Sequence, residues 1–179
     1  YNIPETLPPF GMHTMGLDDI KHDKADGDSV LSAYVYKRGI ELDEWSDRIV
    51  ASYATRPERK EDAYWQLYYL MKTYNAIIFP ENEDTGFVDF LERKFPMDAY
   101  KHVATSVDFA TSMGFDHNRN RRIGYAPTGK NNRHLNNRVI AYTKEDIELQ
   151  NSEGDDIVLQ GYIRIPDPML CSEMISYKD

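Results

Sequence analysis

The stretch Met12-His13-Thr14-Met15-Gly16-Leu17-Asp18-Asp19 decides the fold of this chain once it is set beside Ala76-Ile77-Ile78-Phe79-Pro80-Glu81. Each is a short apolar run that reads as a strand, and each ends in a carboxylate. A carboxylate at a strand tip sits on rigid backbone at the edge of a sheet. Two such tips side by side offer the hard oxygen ligands that Mg²⁺ and Mn²⁺ prefer. Two divalent ions held that way are the core of a phosphodiester-cleaving site. The plainer reading of the same residues is that loops begin where strands end, and loops are polar.

Working outward, apolar alternation predicts strands over 11–18, 30–36 and 47–53, joined by short polar loops as an antiparallel meander. Arg56-Pro57 closes that unit. A helix is predicted over 58–74, where Ala63, Leu67, Leu70 and Met71 recur at helical spacing and Tyr64, Trp65, Tyr68 and Tyr69 widen the apolar face. A strand over 76–80 follows at once, so the strand–helix–strand unit calls for a parallel neighbour. A second helix is expected over 84–94 with Phe87, Phe90 and Leu91 inward, then a fifth strand over 99–105 and an irregular segment over 106–131. A long helix is expected over 132–150, with Leu135, Val139, Tyr142 and Ile147 on one side. An extended run over 157–165 and a terminal helix opened by Pro168 complete the chain. Pro4, Pro8 and Pro9 make residues 1–10 an arm or linker, leaving 11–179 as one domain.

Composition agrees. A chain of 179 residues, 41% hydrophobic and 28% charged, has the size and make-up of one globular domain with a real core. No apolar run is long enough for a membrane helix, and the first residues carry no signal-peptide pattern. Cys171 is the single cysteine, which rules out an internal disulfide, and with five scattered histidines the sequence shows no Cys/His zinc pattern. The net charge of −9 argues against a protein that coats nucleic acid over its whole surface. That charge is unevenly spread. Between His117 and Lys144 stand Arg119, Arg121, Arg122, Lys130, Arg133, Arg138 and Lys144, with no Asp or Glu among them. This stretch supplies +7 to the total of −9, so the remainder carries −16. A basic stretch on an acidic body suits an anion held in one place, although a solvated loop and helix face has the same composition.

Gly124-Tyr125-Ala126-Pro127-Thr128-Gly129-Lys130 matches the start of a phosphate-binding P-loop, but the match fails on chemistry. Asn131 stands where a Mg²⁺-ligating Ser or Thr is needed. Asn118-Arg119-Asn120-Arg121-Arg122 leads in where a buried strand should, and Pro127 removes an amide from the cradle. A Gly-Lys turn opening a helix can still hold a DNA phosphate through backbone amides and Lys130.

Three antiparallel strands, a helix, and a strand beside the first is the order of the ribonuclease H-like nuclease fold. The text goes further. Gly16-Leu17-Asp18, Asp26-Gly27-Asp28-Ser29, Asp47-Arg48-Ile49-Val50-Ala51, Arg56-Pro57, Tyr74-Asn75-Ala76, Pro80-Glu81-Asn82 and Gly86 occur in that order. Together they resemble the C-terminal nuclease domain of tailed-phage terminase large subunits, over nearly all of 11–179. The resemblance implies an α/β fold with a mixed sheet, an antiparallel three-strand meander plus parallel strands, flanked by helices. It implies a metal-dependent endonuclease that cuts concatemeric DNA with two divalent ions, Mg²⁺ or Mn²⁺. Asp18 and Glu81 would be catalytic metal ligands, and Asp28 would help hold a metal-bound water. Thr128-Gly129-Lys130 matches a stretch where the family contacts DNA. Double-stranded DNA, the terminase ATPase domain, the small subunit and the portal are the implied partners, and the cytoplasm of an infected bacterial host the implied location.

Two departures accompany the resemblance. No ATPase domain is present in this sequence. The family's third carboxylate lies on a helix beyond the last one read here, so the domain is expected to lack that helix. Two other readings share the fold: a junction-resolvase-like nuclease, and a catalytically silent module that docks on a portal or small subunit. If the basic stretch neutralises DNA phosphates, log affinity should fall with log salt at about −0.9 per contacted phosphate. Arg121→Ala with Arg122→Ala should make that slope shallower and weaken all sequences alike, as measured by fluorescence anisotropy over a salt series.

Overall fold

A computed structural model describes residues 3–20, 30–38, 47–82, 84–105, 123–126, 128–142, 146–150, 156–160, 168 and 170–172. Its centre is a four-stranded mixed sheet in the order β3-β2-β1-β4. The strands are β1 (His13–Asp18), β2 (Leu31–Lys37), β3 (Arg48–Thr55) and β4 (Ile77–Pro80). β1 pairs antiparallel with β2, and β2 antiparallel with β3. β1 pairs parallel with β4 through Thr14↔Ile77, Met15↔Ile78, Gly16↔Phe79 and Leu17↔Pro80. Helices α1 (Lys60–Tyr74), α2 (Gly86–Lys94) and α3 (Pro96–His102) flank the sheet, an arrangement compatible with a ribonuclease H-like fold.

Period-two alternation sorts the strands into two faces. Met15 and Leu17 of β1, Leu31, Ala33 and Val35 of β2, and Ile78 of β4 are buried. They form one core with Ala63, Tyr64, Leu67 and Met71 of α1 and Phe87, Phe90 and Leu91 of α2. The alternate residues of β1, Gly16 and Asp18, are exposed, as are Ser52 and Ala54 of β3. A Cβ placed on Gly16 would meet no atom within 4 Å, so this side of β1 is open. Removing a Leu from the covered side costs about 2–5 kcal/mol through lost burial and the cavity left behind.

The α1–β4 junction has almost no loop. Asn75 takes the left-handed conformation (φ 46°) that ends α1, and its amide bonds back to the Lys72 carbonyl. Its side chain is put to use as well. Nδ2 donates to the Pro8 carbonyl (2.9 Å), and Oδ1 accepts from Lys101 Nζ (3.3 Å). Proline-rich residues of the N-terminal segment are thereby tied to the turn between α1 and β4. Phe10 adds an edge contact to the His102 ring and lies beneath Lys101.

Two sequence expectations change. Residues 99–105, read as a strand, divide into α3 and the single-residue bridges at Val103 and Thr105. Pro96 occupies the first turn, where its missing N–H costs nothing, and Ala99 and His102 fall inward at helical spacing. The helix read over 132–150 is shorter. It runs as α4 (Gly129–Tyr142), and Asp146–Gln150 is β5, paired antiparallel with β6 (Asp156–Gln160). Ile147 and Leu149 sit two apart and register with Leu159 and Ile157, so a period of two governs there rather than 3.6. The extended run predicted to 165 is described only to Gln160. Pro168 and residues 170–172 are helical, where a terminal helix was expected. No helix among the described residues is long and apolar enough to cross a membrane.

α3 is fastened to α1 by charge and aromatic packing. Asp98 accepts from the Tyr68 hydroxyl (3.0 Å) and from Lys72 Nζ (2.9 Å). Burial pushes the Asp98 carboxyl up, but these two donors outweigh it and hold it below its ordinary range. Burial and donation to Asp98 push the Tyr68 phenol up to about 12. Phe95, between α2 and α3, stacks on Tyr68 with ring centroids 4.0 Å apart. His102 is fully buried, and its Nδ1 lies 2.8 Å from the Ala76 carbonyl. That carbonyl can only accept, so the neutral ring carries its proton on Nδ1. Burial lowers the pKa of His102, and of the buried His13, below the usual histidine value.

A lowered folded-state pKa means the unfolded chain takes up the proton first as pH falls. The two histidines cost nothing above pH about 6.5, and the folded state loses stability below it, until the folded-state pKa values are passed. Urea midpoints should therefore fall as pH drops below that point. His102→Asn, which can keep the bond to the Ala76 carbonyl, should remove its share of that fall.

Candidate functional site

The register of the parallel pair places the two strand-tip carboxylates together. The last paired residues of β1 and β4 are Leu17 and Pro80, so Asp18 and Glu81 are the next residues on neighbouring strands. Strand spacing puts their Cα atoms about 5 Å apart. By alternation both side chains leave the sheet on the side away from the helical core, where Asp18 is exposed and Glu81 half-buried. The pair offers oxygen ligands alone, chemistry that suits a hard divalent cation. Among the described residues no group of three or more His, Cys, Asp or Glu comes close enough to hold a metal. Asp28, the other acid suggested by the sequence, lies outside the described residues.

Asp19, one residue further on, does different work. It is 6% exposed and accepts hydrogen bonds from three donors. These come from the Ile20 amide (2.8 Å), the Tyr64 hydroxyl to both carboxylate oxygens (3.2 and 3.0 Å), and the Phe87 amide (2.9 Å). Phe87 is the second residue of α2, whose own N-cap Thr85 makes no side-chain cap bond. Asp19 thus caps α2 from a distant point in the chain and ties both α1 and α2 to the end of β1. Burial raises its pKa, opposed by those hydrogen bonds and by Lys60, whose Nζ donates to the neighbouring Ile20 carbonyl. Gly86 is needed for this cap. A Cβ there would lie 2.3 Å from the Tyr64 hydroxyl oxygen and 3.1 Å from Asp19 Oδ2.

Glu81 is braced from its other side by residues that the sequence offered as part of an irregular segment and as the start of a failed P-loop match. Ile123 pairs antiparallel with Thr105, and Tyr125 forms a parallel bridge with Glu81, just past β4. The Tyr125 amide donates to the Pro80 carbonyl (2.9 Å), and the Tyr125 carbonyl accepts from the Asn82 amide (2.8 Å). The backbone is thus gripped immediately before and after Glu81. Gly124, at φ 66°, permits the approach, since a Cβ there would stand 2.0 Å from the Pro80 carbonyl oxygen. An apolar triplet inside a polar stretch was the available signal. Its bridges to Thr105 and Glu81 were not visible in the sequence.

From Tyr125 the chain passes into α4. Thr128 caps that helix, its Oγ1 accepting from the Asn131 amide (3.3 Å). The Tyr125 hydroxyl donates to Asn132 Oδ1, and Asn131 Nδ2 donates to the Ala126 carbonyl (3.0 Å). Lys130, Arg133 and Arg138 on α4 are all exposed. Helical spacing sets them on one side of α4. The helix carries no Asp or Glu. Arg119, Arg121 and Arg122 lie outside the described residues. Of the sequence-predicted residues, then, the structure brings Asp18 and Glu81 together and starts α4 a few residues from Glu81's partner segment.

No family model and no curated protein matches the chain. Among solved structures, it is similar to the large terminase nuclease from thermophilic phage G20c, at 10% identity and a TM-score of 0.37, over 89% of this chain and 77% of that one.

The two adjacent aspartates should separate cleanly in stability measurements. Asp19→Ala strands the Phe87 amide and the Tyr64 hydroxyl in the interior and should cost about 2–4 kcal/mol in urea melts. Asp18→Ala, on the open side, should change the same quantity by less than about 1 kcal/mol.

Proposed function

We propose that this chain is a metal-dependent DNA endonuclease domain with a ribonuclease H-like fold, of the kind that cuts concatemeric genomes in a viral packaging terminase. The observation that supports this most is the pairing of Asp18 and Glu81 on adjacent parallel strand tips, with the basic helix α4 leading off from Tyr125, the residue bridged to Glu81.

Asp18 and Glu81 are the residues that would hold divalent ions, and Asp28, which lies outside the described residues, would be a further acid toward them by the resemblance alone. Two Mg²⁺ or Mn²⁺ ions held there would supply a nucleophile from water at neutral pH and would stabilise the departing 3′ oxygen. The chain's own contribution is positional and electrostatic. Asp18 and Glu81 present negative charge on rigid backbone, and the Asp19 and Tyr125 contacts keep those strand ends from drifting. Lys130, Arg133 and Arg138, with Arg119, Arg121 and Arg122, would neutralise DNA phosphates. They offer charge without an ordered base-reading set, so binding would be indifferent to sequence. Double-stranded DNA would be the substrate. The terminase ATPase domain, small subunit and portal would be the partners, and the host cytoplasm the setting. The catalytically silent docking module is favoured by one observation: Met97 and Tyr100, three apart on α3, are 78% and 88% exposed.

A plasmid-nicking assay decides between them. The chain should nick supercoiled DNA in millimolar-scale Mn²⁺, and more slowly in Mg²⁺, because a pair of carboxylates alone would hold the more demanding ion poorly. Asp18→Asn should lower nicking by roughly 100-fold or more while leaving the thermal midpoint unchanged or higher. No nicking by the parent chain, together with no Mn²⁺ uptake by calorimetry, would favour the docking module.

A further inference from the structure

The open side of the sheet and the basic helix are joined at one residue. Tyr125 pairs its backbone with the residues on either side of Glu81, and its hydroxyl donates to Asn132 in the first turn of α4. Tyr125 is 9% exposed, so the hydroxyl bond is made at the edge of the protein interior rather than in bulk water. The Asn131 side chain returns to the Ala126 carbonyl, and the Thr128 hydroxyl receives the Asn131 amide. These two bonds stiffen the turn between Tyr125 and the helix but do not reach β4. Beyond this turn α4 is exposed from Asn137 to Ala141. The seating of that first turn therefore helps set the orientation of the basic side relative to Glu81.

We propose that Tyr125 is a positioning residue, which holds the basic side of α4 at a set distance and angle from the Asp18–Glu81 pair by gripping β4 with its backbone and Asn132 with its hydroxyl. This rests on the reading of that pair as the metal-holding carboxylates. A phosphodiester gripped by Lys130 and Arg133 must lie within a fraction of an ångström of its place over the carboxylates. Misplacement by about 1 Å can cost 100-fold in rate. Neither the charge that binds DNA nor the charge that binds the cation resides on Tyr125. Its loss should therefore be felt in alignment and not in either affinity.

Tyr125→Phe keeps the ring, the backbone pairing and the fold while deleting the hydroxyl bond. In Mn²⁺-supported nicking, kcat should fall roughly tenfold or more. DNA affinity and the Mn²⁺ half-saturation, measured separately by anisotropy and calorimetry, should each stay within about twofold of the parent, since no charge is lost. Asn132→Ala should give the same split, and the double variant should be no worse than either alone, because both remove one bond. Hydrogen exchange supplies a readout that does not depend on activity. In the parent chain the amides of Asn82, Tyr125 and Asn132 should open together. In Tyr125→Phe the Asn132 amide should exchange faster while the other two keep their protection. An unchanged kcat, additive effects of the two substitutions, or a loss that appears wholly in Mn²⁺ affinity would overturn the proposal. So would an Asn132 amide that opens independently of Asn82 in the parent. A parent chain that neither binds Mn²⁺ nor nicks would instead overturn the nuclease reading and the positioning role given to Tyr125 with it. The exchange data would still decide whether the tie exists.

Discussion

The parallel pairing of β1 with β4 is the constraint on which the rest of this structure depends. It joins two segments about sixty residues apart in sequence, and its register sets Asp18 beside Glu81. A parallel pair cannot be closed by a tight turn, so a crossover must span the sheet. Here that crossover is α1, whose buried side completes the core on one face of the sheet. The need to cover one face with helices leaves the strand-tip acids to point the other way. A slip of one residue in the register would carry Met15 and Leu17 into solvent and drive Asp18 into the core, so burial and site geometry enforce the same alignment.

Two consecutive aspartates divide the labour at the end of β1. Asp18 leaves the sheet on the open side, and its carboxylate stays near water. Asp19 turns into the protein and accepts hydrogen bonds from two helices, through Tyr64 on α1 and the Phe87 amide on α2. A buried carboxylate is costly unless its acceptor sites are filled, and here they are filled by groups that would otherwise be left without partners. The same acid that stabilises α2 therefore anchors the strand from which Asp18 projects. Gly86 is the steric counterpart of that anchor, since any side chain there would enter the space between Tyr64 and Asp19.

Glu81 is anchored by a different device. Its strand is short, only Ile77–Pro80, and ends in a proline that can accept but not donate in the ladder. The missing support comes from the Gly124-Tyr125 segment, which accepts and donates on either side of Glu81 and needs a glycine for its close approach to Pro80. At the far end of the sheet, Asn75, Pro8, Phe10 and His102 tie the N-terminal segment to the α1–β4 turn. β4 is thus held at both ends by contacts from outside the sheet, which compensates for its few ladder bonds.

Much of this fold is legible in the order of its residues. The alternating apolar residues of β1, β2 and β3, the helical spacing of Leu67, Leu70 and Met71, and the carboxylates ending two apolar runs are local patterns, written by neighbours two to four residues apart. The separation of a basic stretch from an acidic body is also written in the sequence, because charge needs no fold to be counted. What the sequence left open is what depends on distant partners. Residues 99–105 have strand-like composition, and Pro96 together with packing of Ala99 and His102 made the first part of them helix. The Ile147 and Leu149 pair fitted either period until an antiparallel partner chose two. Asp19 acquired its role from Tyr64 and Phe87, 45 and 68 residues away, and Tyr125 from Pro80 and Asn82. A hydrogen bond needs its donor and acceptor within about 3 Å. Only a closed sheet brings residues so far apart along the chain to that distance, so the sequence determined the elements and the acids they carry, and tertiary structure decided which acid anchors the fold and which faces the open site.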